Sequence, residues 1–365
     1  MDQASLSTVE RAAHLADSVL APAAEHVDTD ATIPGGHFAA LSEAGLFGML
    51  GPIEAGGADV SARTARLTMA KIAGGCGATF FVWAQHHGVV RALRSSTNEP
   101  LQSALLASLC AGEQIAGVAF AHARRAGTPA LRARRVDGGW RLDGFAPWTT
   151  SWGIAQHFAL AAETDDGQLV WSMIPATDSA GIEPRPLALP VFAATGTVAM
   201  KIDGCIVTDD HVITTMDADA WRSTDRRTAS IGSPAILGVA HRAIRLLAGA
   251  ARAPDDPAAR TATELGAELD ARWADDDALL PHVPDFDDDD IAAASAHRAR
   301  CLELGQRATT AFLAASGGGG MDLAHPAQRL AREAMFYVIQ AQTDDGRTGT
   351  LENQQRRAAG RPAAT

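Results

Sequence analysis

The spacing of apolar residues changes twice along this chain. In the first third they recur at helical spacing. Leu6, Val9, Ala13, Ala16 and Leu20 mark one face of a first helix, and Ser7-Thr8-Val9-Glu10 has capping-box spacing at its start. A second helix is expected over 37–44, stopped by Gly45, with Gly51-Pro52 and Gly56-Gly57 punctuating the loop beyond. Longer helical stretches follow over 62–72, 79–93 and 101–109. From Ile115 to about Thr215 the texture changes to short β-rich runs between turn clusters, over 115–121, 130–136, 140–143, 158–162, 169–174 and 198–202. Gly138-Gly139, Gly144 and Asp203-Gly204 read as turns, the last as a hairpin after the clean alternation of Val198, Met200 and Ile202. From about Arg226 helical spacing returns, through Ile236, Val239, Ala243, Leu246 and Ala250. A helix over 257–279 precedes a breaker and acidic run, Pro281 to Asp290, read as a solvated loop that places negative charge before the next helix. A long helix over 291–315 ends at Gly317-Gly318-Gly319-Gly320. A last one starts near Pro326, with Leu330, Ala334, Tyr337 and Ala341 along one side.

This order predicts an α+β chain. It has a helical domain over 1–114, a β-barrel or sandwich over 115–224 and a C-terminal four-helix bundle over 225–365. The length, 365 residues, suits two or three domains with a substantial core. Net charge is −12, which argues against nucleic acid or an anionic membrane as partner, although local arginines can still bind phosphate. No apolar run is long enough to span a bilayer. The start of the chain lacks a basic segment followed by an apolar one, and the four cysteines are scattered. A reducing, cytoplasmic setting with free buried thiols is expected. No GxGxxG or GxxxxGK[ST] follows a strand, so neither a Rossmann nor a P-loop site is indicated.

The candidate chemistry centres on Trp148 and Thr150, where a strand enters a turn. An indole there can lie against a flat aromatic ligand while the hydroxyl reaches its heteroatoms; a buried Trp beside a turn Thr is the plainer alternative. His86 and His87 are adjacent on a helix and diverge by about 100°, so a shared metal ion is not expected, and no metal site is predicted. Either histidine suits a polar tunnel lining. Trp83, Trp148, Trp152 and Trp171 read as core or ligand-adjacent aromatics rather than a nucleic-acid platform.

Several segments resemble, in order, those of the acyl-CoA dehydrogenase family. LSEAGLFGMLGPIEAGGADVS resembles its "GLxGxxxPxxxGG" loop, Gly112-Glu113-Gln114-Ile115-Ala116 its "GExia" entry to the β-domain, and GGWRLDGFAPWTT its "nGxKxWITN" strand-turn. Gly317, Gly318 and Gly320 fall on its "GGxG", and Pro326 to Ala334 on its "pxxRxxRDA" helix. The resemblance covers about 330 residues. It implies that fold, FAD as cofactor and an acyl-CoA or related thioester as substrate. It also implies a homo- or hetero-tetramer, Trp148 and Thr150 beside the flavin ring with Thr150 at N5, and Gly317, Gly318 and Gly320 along a dinucleotide. The activity implied is that of a flavoprotein oxidoreductase oxidising a CH–CH bond.

The departures fall on the chemistry. The family's usual catalytic Glu aligns with Ala341, and its alternative Glu with Thr228. Asp225 is the nearest carboxylate to the second position and serves only if the register slips. The loop Thr that contacts the flavin becomes Ala121, and His122 takes the place of the neighbouring Glu. Arg124 and Arg125 are candidates for the lost phosphate contact, or plain solvated loop residues. The "RxxFG" segment that holds a neighbour's adenine is replaced by Arg252-Ala253-Pro254-Asp255-Asp256. Three functions therefore remain open: first a dehydrogenase with an unusual base, then a silent subunit completing a relative's FAD site, which the missing adenine clamp favours, and last, since no residue marks an oxygen-activating site, a flavin monooxygenase or oxidase.

Overall fold

In a computed structural model, which describes residues 3–177 and 181–359, eight strands join one hydrogen-bonded sheet set between helical segments in chain order. The chain folds as two units, the first built from residues 1–15, 31–61 and 78–223, the second from 16–30, 62–77 and 224–365.

The first unit holds helices α1 (Gln3–Leu15), α3 (Gly35–Glu43), α5 (Gly77–Arg94, from Ala78 on) and α6 (Glu99–Ala111). It also holds the whole sheet: β1 (Ala116–Ala119), β2 (Leu131–Val136), β3 (Gly139–Thr149), β4 (His157–Glu163), β5 (Gln168–Pro175), β6 (Ile182–Pro186), β7 (Val198–Thr208) and β8 (Val212–Asp217). The strand order is β6-β7-β3-β2-β4-β5-β8, with β1 added parallel to β4. A single parallel pairing, Arg132 with Glu163, links two antiparallel ribbons. Strands β4 and β5 are buried along nearly their whole length, which is why they read as continuous apolar runs rather than alternating ones. Val89, Val90 and Leu93 of α5 and Leu109 of α6 pack with Val118, Ala159, Met173 and Ile213 of the strands. Burying each of the larger side chains contributes roughly 1.5–3 kcal/mol.

The second unit holds α2 (Ala21–Thr29), α4 (Ala62–Gly75), the end of α7 (Ala218–Ser230), α8 (Ala235–Gly249), α9 (Pro257–Leu279), α10 (Asp288–Ser316), α11 (Pro326–Tyr337) and α12 (Asp344–Ala358). Helices α8, α9, α10 and α11 form the bundle, with α4 against α8 and α12 against α10. Ile236, Val239, Ala243 and Leu247 supply the apolar face of α8. The α4–α8 crossing is made by glycine: a Cβ at Gly238 would lie 2.0 Å from the Ala70 carbonyl oxygen, and one at Gly74 2.7 Å from that of Gly238. Asp287 caps α10 with Asp290 in a capping box, so the acidic run completes a helix N-terminus as its charge pattern suggests, but 281–290 is not the loop expected: Leu280–Asp285 forms a 3₁₀ helix and Asp288–Asp290 the first turn of α10.

Several local expectations are corrected. Ser7 to Glu10 lies inside α1, and Ser7 Oγ accepts from Arg11 rather than from a helix-end N–H. Gly144 is no turn: β3 runs through it to Thr149, with Gly144 at φ +140 where a Cβ would meet the Ala130 oxygen at 2.2 Å. Asp203-Gly204 is a bulge inside β7. Leu142 pairs with Cys205 and Asp143 with Asp203, leaving Gly204 unpaired at φ +71, its N–H donating to Asp143 Oδ1. Strands β6 and β8 and helices α2 and α12 carry too little periodic apolar signal to be read from sequence. Helix α11 ends at Tyr337, so Ala341 stands beyond it in a turn at φ +50.

Candidate functional site

A bulge at the end of β3 positions the first group. Ala146 pairs with Met200 and Thr149 with Val198, so Pro147 and Trp148 together oppose Ala199. Pro147 has no N–H to give the ladder, and the extra residue turns the next side chain outward. Trp148 is accordingly 54% exposed although both its neighbours along the register, Ala146 and Thr149, are buried. Phe145 on the same strand is also exposed.

Past the bulge the chain turns sharply against the segment 192–197. Ser151 stands at φ +82 and Phe192 at φ +61, both costly for residues with a Cβ. Ser151 N–H donates to the Thr195 carbonyl (2.9 Å) and Trp152 N–H to that of Gly196 (3.0 Å). A Cβ at Gly196 would sit 2.3 Å from the Trp152 oxygen. Between these clamped segments three hydroxyls line up: Thr150 Oγ1 lies 3.0 Å from Thr197 Oγ1, which lies 2.8 Å from Thr195 Oγ1. Thr195 Oγ1 donates to the Phe192 carbonyl at 2.8 Å. All three threonines are buried. Sequence reasoning singled out Thr150 but not Thr195 and Thr197, because Thr-Gly-Thr reads only as a turn.

Ala121 opens a single 3₁₀ turn, Ala121–Arg124, after β1. Its methyl has no hydrogen-bonding group. His122 is buried, and its Nε2–H donates to the Ala161 carbonyl at 2.7 Å. Burial holds its pKa below the ordinary histidine value. Arg124 lies over the Phe120 ring at 5.0 Å, and Arg125 is exposed. On α5, His86 Nδ1 accepts from the Ala116 N–H (3.2 Å), and the His87 ring meets the Trp83 ring edge-on at 4.5 Å. Burial pushes His86 down to about 4 and His87 well below the usual value, so both are neutral rings of the interior. Among the described residues no cluster of three or more His, Cys, Asp or Glu is arranged to hold a metal ion.

The second unit carries the other sequence candidates. Gly317 adopts φ +61, ψ −151, a region open essentially to glycine alone. Gly318 has open space around it, and Gly320 packs against Leu313 and Ser316. The carbonyl oxygens of Gln340 and Ala341 accept from the buried Arg298 guanidinium, at 2.7 and 3.0 Å. Thr228 is exposed on α7 and spends its hydroxyl on the Thr224 carbonyl (3.0 Å). Asp225 is half-buried on the same helix, and the next residue, Arg226, pairs with Asp345 and Asp288. Asp256, in the loop before α9, caps that helix by accepting from Ala258 N–H.

A buried ionic cluster not foreseen from sequence lies nearby within this unit. Arg66 makes a two-pronged pair with Asp276, 2.6 Å on each arm. Burial raises the Asp276 pKa, but hydrogen bonds from His297 and Arg66 outweigh it and the net shift is downward. Cys301 Sγ stands 3.4 Å from His297 Nε2, whose other nitrogen faces Asp275 at 3.7 Å, an order of groups seen in cysteine nucleophiles. Burial pushes the Cys301 thiol up to about 12, which removes the thiolate such chemistry needs. The cavity bordered by Arg66, Asp276, Arg298, Cys301, Tyr337 and Gln340 is about 10 Å³, room for one water.

The family model for the acyl-CoA dehydrogenase N-terminal domain matches residues 3–113. A benzylmalonyl-CoA dehydrogenase of Aromatoleum aromaticum is 27% identical over 242 residues, 64% of this chain and 64% of that protein. The match thus spans under two thirds of that relative. Among solved structures, a glutaryl-CoA dehydrogenase from Mycobacterium smegmatis in complex with FADH2 aligns with a TM-score of 0.79 at 18% identity, covering 100% of this chain and 96% of its own. A nitrososynthase from Micromonospora carbonacea aligns with a TM-score of 0.77 at 19% identity, covering 98% and 97%. No helix among the described residues is long and apolar enough to cross a membrane.

Proposed function

We propose that this chain, whose residues 3–113 match the acyl-CoA dehydrogenase N-terminal domain model and whose fold is that of a glutaryl-CoA dehydrogenase, is an acyl-CoA dehydrogenase-like, flavin-dependent oxidoreductase working without a carboxylate base at residue 341 or 228. The residues of the first unit fit a flavin. Trp148 offers an exposed indole face beside a strand end, and Thr150 a clamped hydroxyl two residues on. Trp148 would cover the ring system and Thr150 would meet its polar edge. When bound, the flavin supplies two-electron redox chemistry. Ala121 contributes no side-chain hydrogen bond to it, and FAD and FMN both remain open as the form used.

Ala341 carries the reading. Oxidation of a saturated acyl thioester needs a base for the α-proton as hydride leaves the β-carbon, a contribution of roughly 10²–10⁴ in rate. A methyl group cannot take that proton, and the exposed Thr228 cannot either. Oxygen chemistry of a flavin that arrives already reduced by an external two-electron donor has no such requirement, so a monooxygenase supplied with reduced flavin and acting on a small organic substrate suits these residues best. That a nitrososynthase shares the fold supports this reading, since the fold is not confined to thioester dehydrogenases.

A second reading is favoured by the likeness to a benzylmalonyl-CoA dehydrogenase. In it the substrate is an acyl-CoA, and a partner subunit in a homo- or hetero-tetramer lends the base or the rest of the FAD site. One experiment separates the two. The chain is purified alone and with a co-expressed relative, its flavin content is measured, and each preparation is assayed for enoyl-thioester formation and for accumulation of a flavin C4a-hydroperoxide when reduced flavin meets oxygen, against a protein-free control that autoxidises directly. Hydroperoxide accumulation with the chain alone supports the first reading. Enoyl formation only in the mixed complex supports the second, and ordinary acyl-CoA turnover by the chain alone sinks both.

A further inference from the structure

The three threonines behind Trp148 form a chain whose direction is set at one end. Each hydroxyl has one proton to give. Thr195 Oγ1 lies 2.8 Å from the carbonyl oxygen of Phe192, which can only accept. Two oxygens at that distance without a hydrogen between them repel, so the Thr195 proton is committed to Phe192. Thr197, 2.8 Å from Thr195, must then donate to it, and Thr150, 3.0 Å from Thr197, must donate to Thr197. The Thr150 proton is therefore spent inside the protein, and its oxygen has only lone pairs left to offer a further partner.

The chain cannot easily reverse. Thr195 is fully buried, and Thr150 and Thr197 are 5% and 8% exposed, so water has little access to supply a substitute donor. The two segments are tied by the Ser151-to-Thr195 and Trp152-to-Gly196 backbone bonds, and the positive φ of Ser151 and Phe192 fixes their path.

We propose that Thr150 acts as a hydrogen-bond acceptor toward its ligand, and that the site thereby selects the reduced over the oxidised flavin, with Thr197 and Thr195 as positioning residues. This rests on the reading above that Thr150 meets the polar edge of the flavin, at N5 as the family resemblance implies. Oxidised N5 is itself an acceptor and would face lone pairs with lone pairs. Reduced N5 carries a hydrogen and completes the chain. A mismatch of this kind in a dry site is expected to be worth at least tenfold in affinity.

The test is anaerobic titration of the full chain with oxidised and reduced FAD and FMN, together with the midpoint potential of the bound flavin. The expected result is reduced flavin bound at least tenfold tighter, which for a two-electron couple raises the bound midpoint by at least about 30 mV. Thr197→Val releases the Thr150 proton to point at the ligand. It should cut the ratio of affinities at least tenfold, chiefly by tightening oxidised flavin, while Thr197→Ser keeps the wild-type ratio. Should Thr197→Val fail to fold by circular dichroism, Thr150→Val carries the test, since it removes the acceptor and should bring the ratio towards one. Flavin binding that depends on Trp148 but shows equal affinities, or a ratio indifferent to Thr197→Val and Thr150→Val, overturns the polarity and leaves the flavin site standing. Binding of neither form, or binding unchanged in Trp148→Ala and Thr150→Val alike, overturns the site and the polarity together.

Discussion

Arg298 holds the backbone of Ala341: its guanidinium donates to the Ala341 carbonyl at 3.0 Å and to that of Gln340 at 2.7 Å. Ala341 is pinned at φ +50, a conformation that costs a residue with a Cβ roughly 1–2 kcal/mol. Ala341→Gly should therefore stabilise the protein by about 0.5–1 kcal/mol, read as a higher urea midpoint with unchanged slope. A lower midpoint would mean that the turn is not left-handed in solution.

Ala341→Glu places a carboxylate where the family resemblance expects one. Loss of a general base is worth roughly 10²–10⁴ in rate, or about 3–5 kcal/mol of barrier. If residue 341 faces the reacting carbons, the variant should gain dehydrogenation of saturated acyl-CoA over a very low wild-type background. Wild-type protein with ordinary turnover would show the base to lie elsewhere, and Asp225→Asn would be the next variant to make.

If a flavin lies on Trp148 as proposed, Trp148→Ala should weaken its retention by tenfold or more through loss of aromatic cover, about 1.4 kcal/mol. Because Trp148 is 54% exposed, the same variant should leave folding stability within about 0.5 kcal/mol of wild type. Parallel equilibrium dialysis and thermal melts check the pair of statements, and an unchanged flavin affinity would remove Trp148 from the site.

The pH profile follows from the buried histidines of α5. Burial lowers the folded pKa of His86 to about 4 and that of His87 well below 6.5, so the unfolded chain binds more protons than the folded one beneath the ordinary histidine value. Stability is fully present above about pH 6.5 and falls as pH drops towards 4. His86 alone accounts for roughly 3 kcal/mol of that loss. Urea midpoints between pH 8 and 4.5 should show the decline beginning near 6.5. A flat profile would contradict the buried, neutral state of both rings.

In the second unit, Asp276→Asn or Arg66→Met should each cost about 3–5 kcal/mol by stranding a buried charge, whereas the double replacement by apolar residues should cost far less. Equal losses in single and double variants would mean that the pair is not coupled.

How much the sequence disclosed varies with the kind of signal. The periodic elements were legible: the helix over 257–279 coincides with α9, and the run over 158–162 lies within β4. Gly144 and Gly204 misled because glycine marks both turns and strand bulges, and only the partner strand decides between them. Trp148 and Thr150 were singled out because their residue types suit a flat ligand. Thr195 and Thr197 were invisible because a hydroxyl chain is assembled by folding across 47 positions, from Thr150 to Thr197, with no local pattern. Arg66 and Asp276 were hidden for the same reason, standing 210 residues apart.

The glycine crossing of α4 and α8 has a mechanical consequence. With backbone directly against backbone at Gly74 and Gly238, these two helices have no compressible side-chain layer between them, so neither can roll or slide on the other without a clash. In a saturation library, positions 74 and 238 should admit glycine alone while the surfaces around them drift freely.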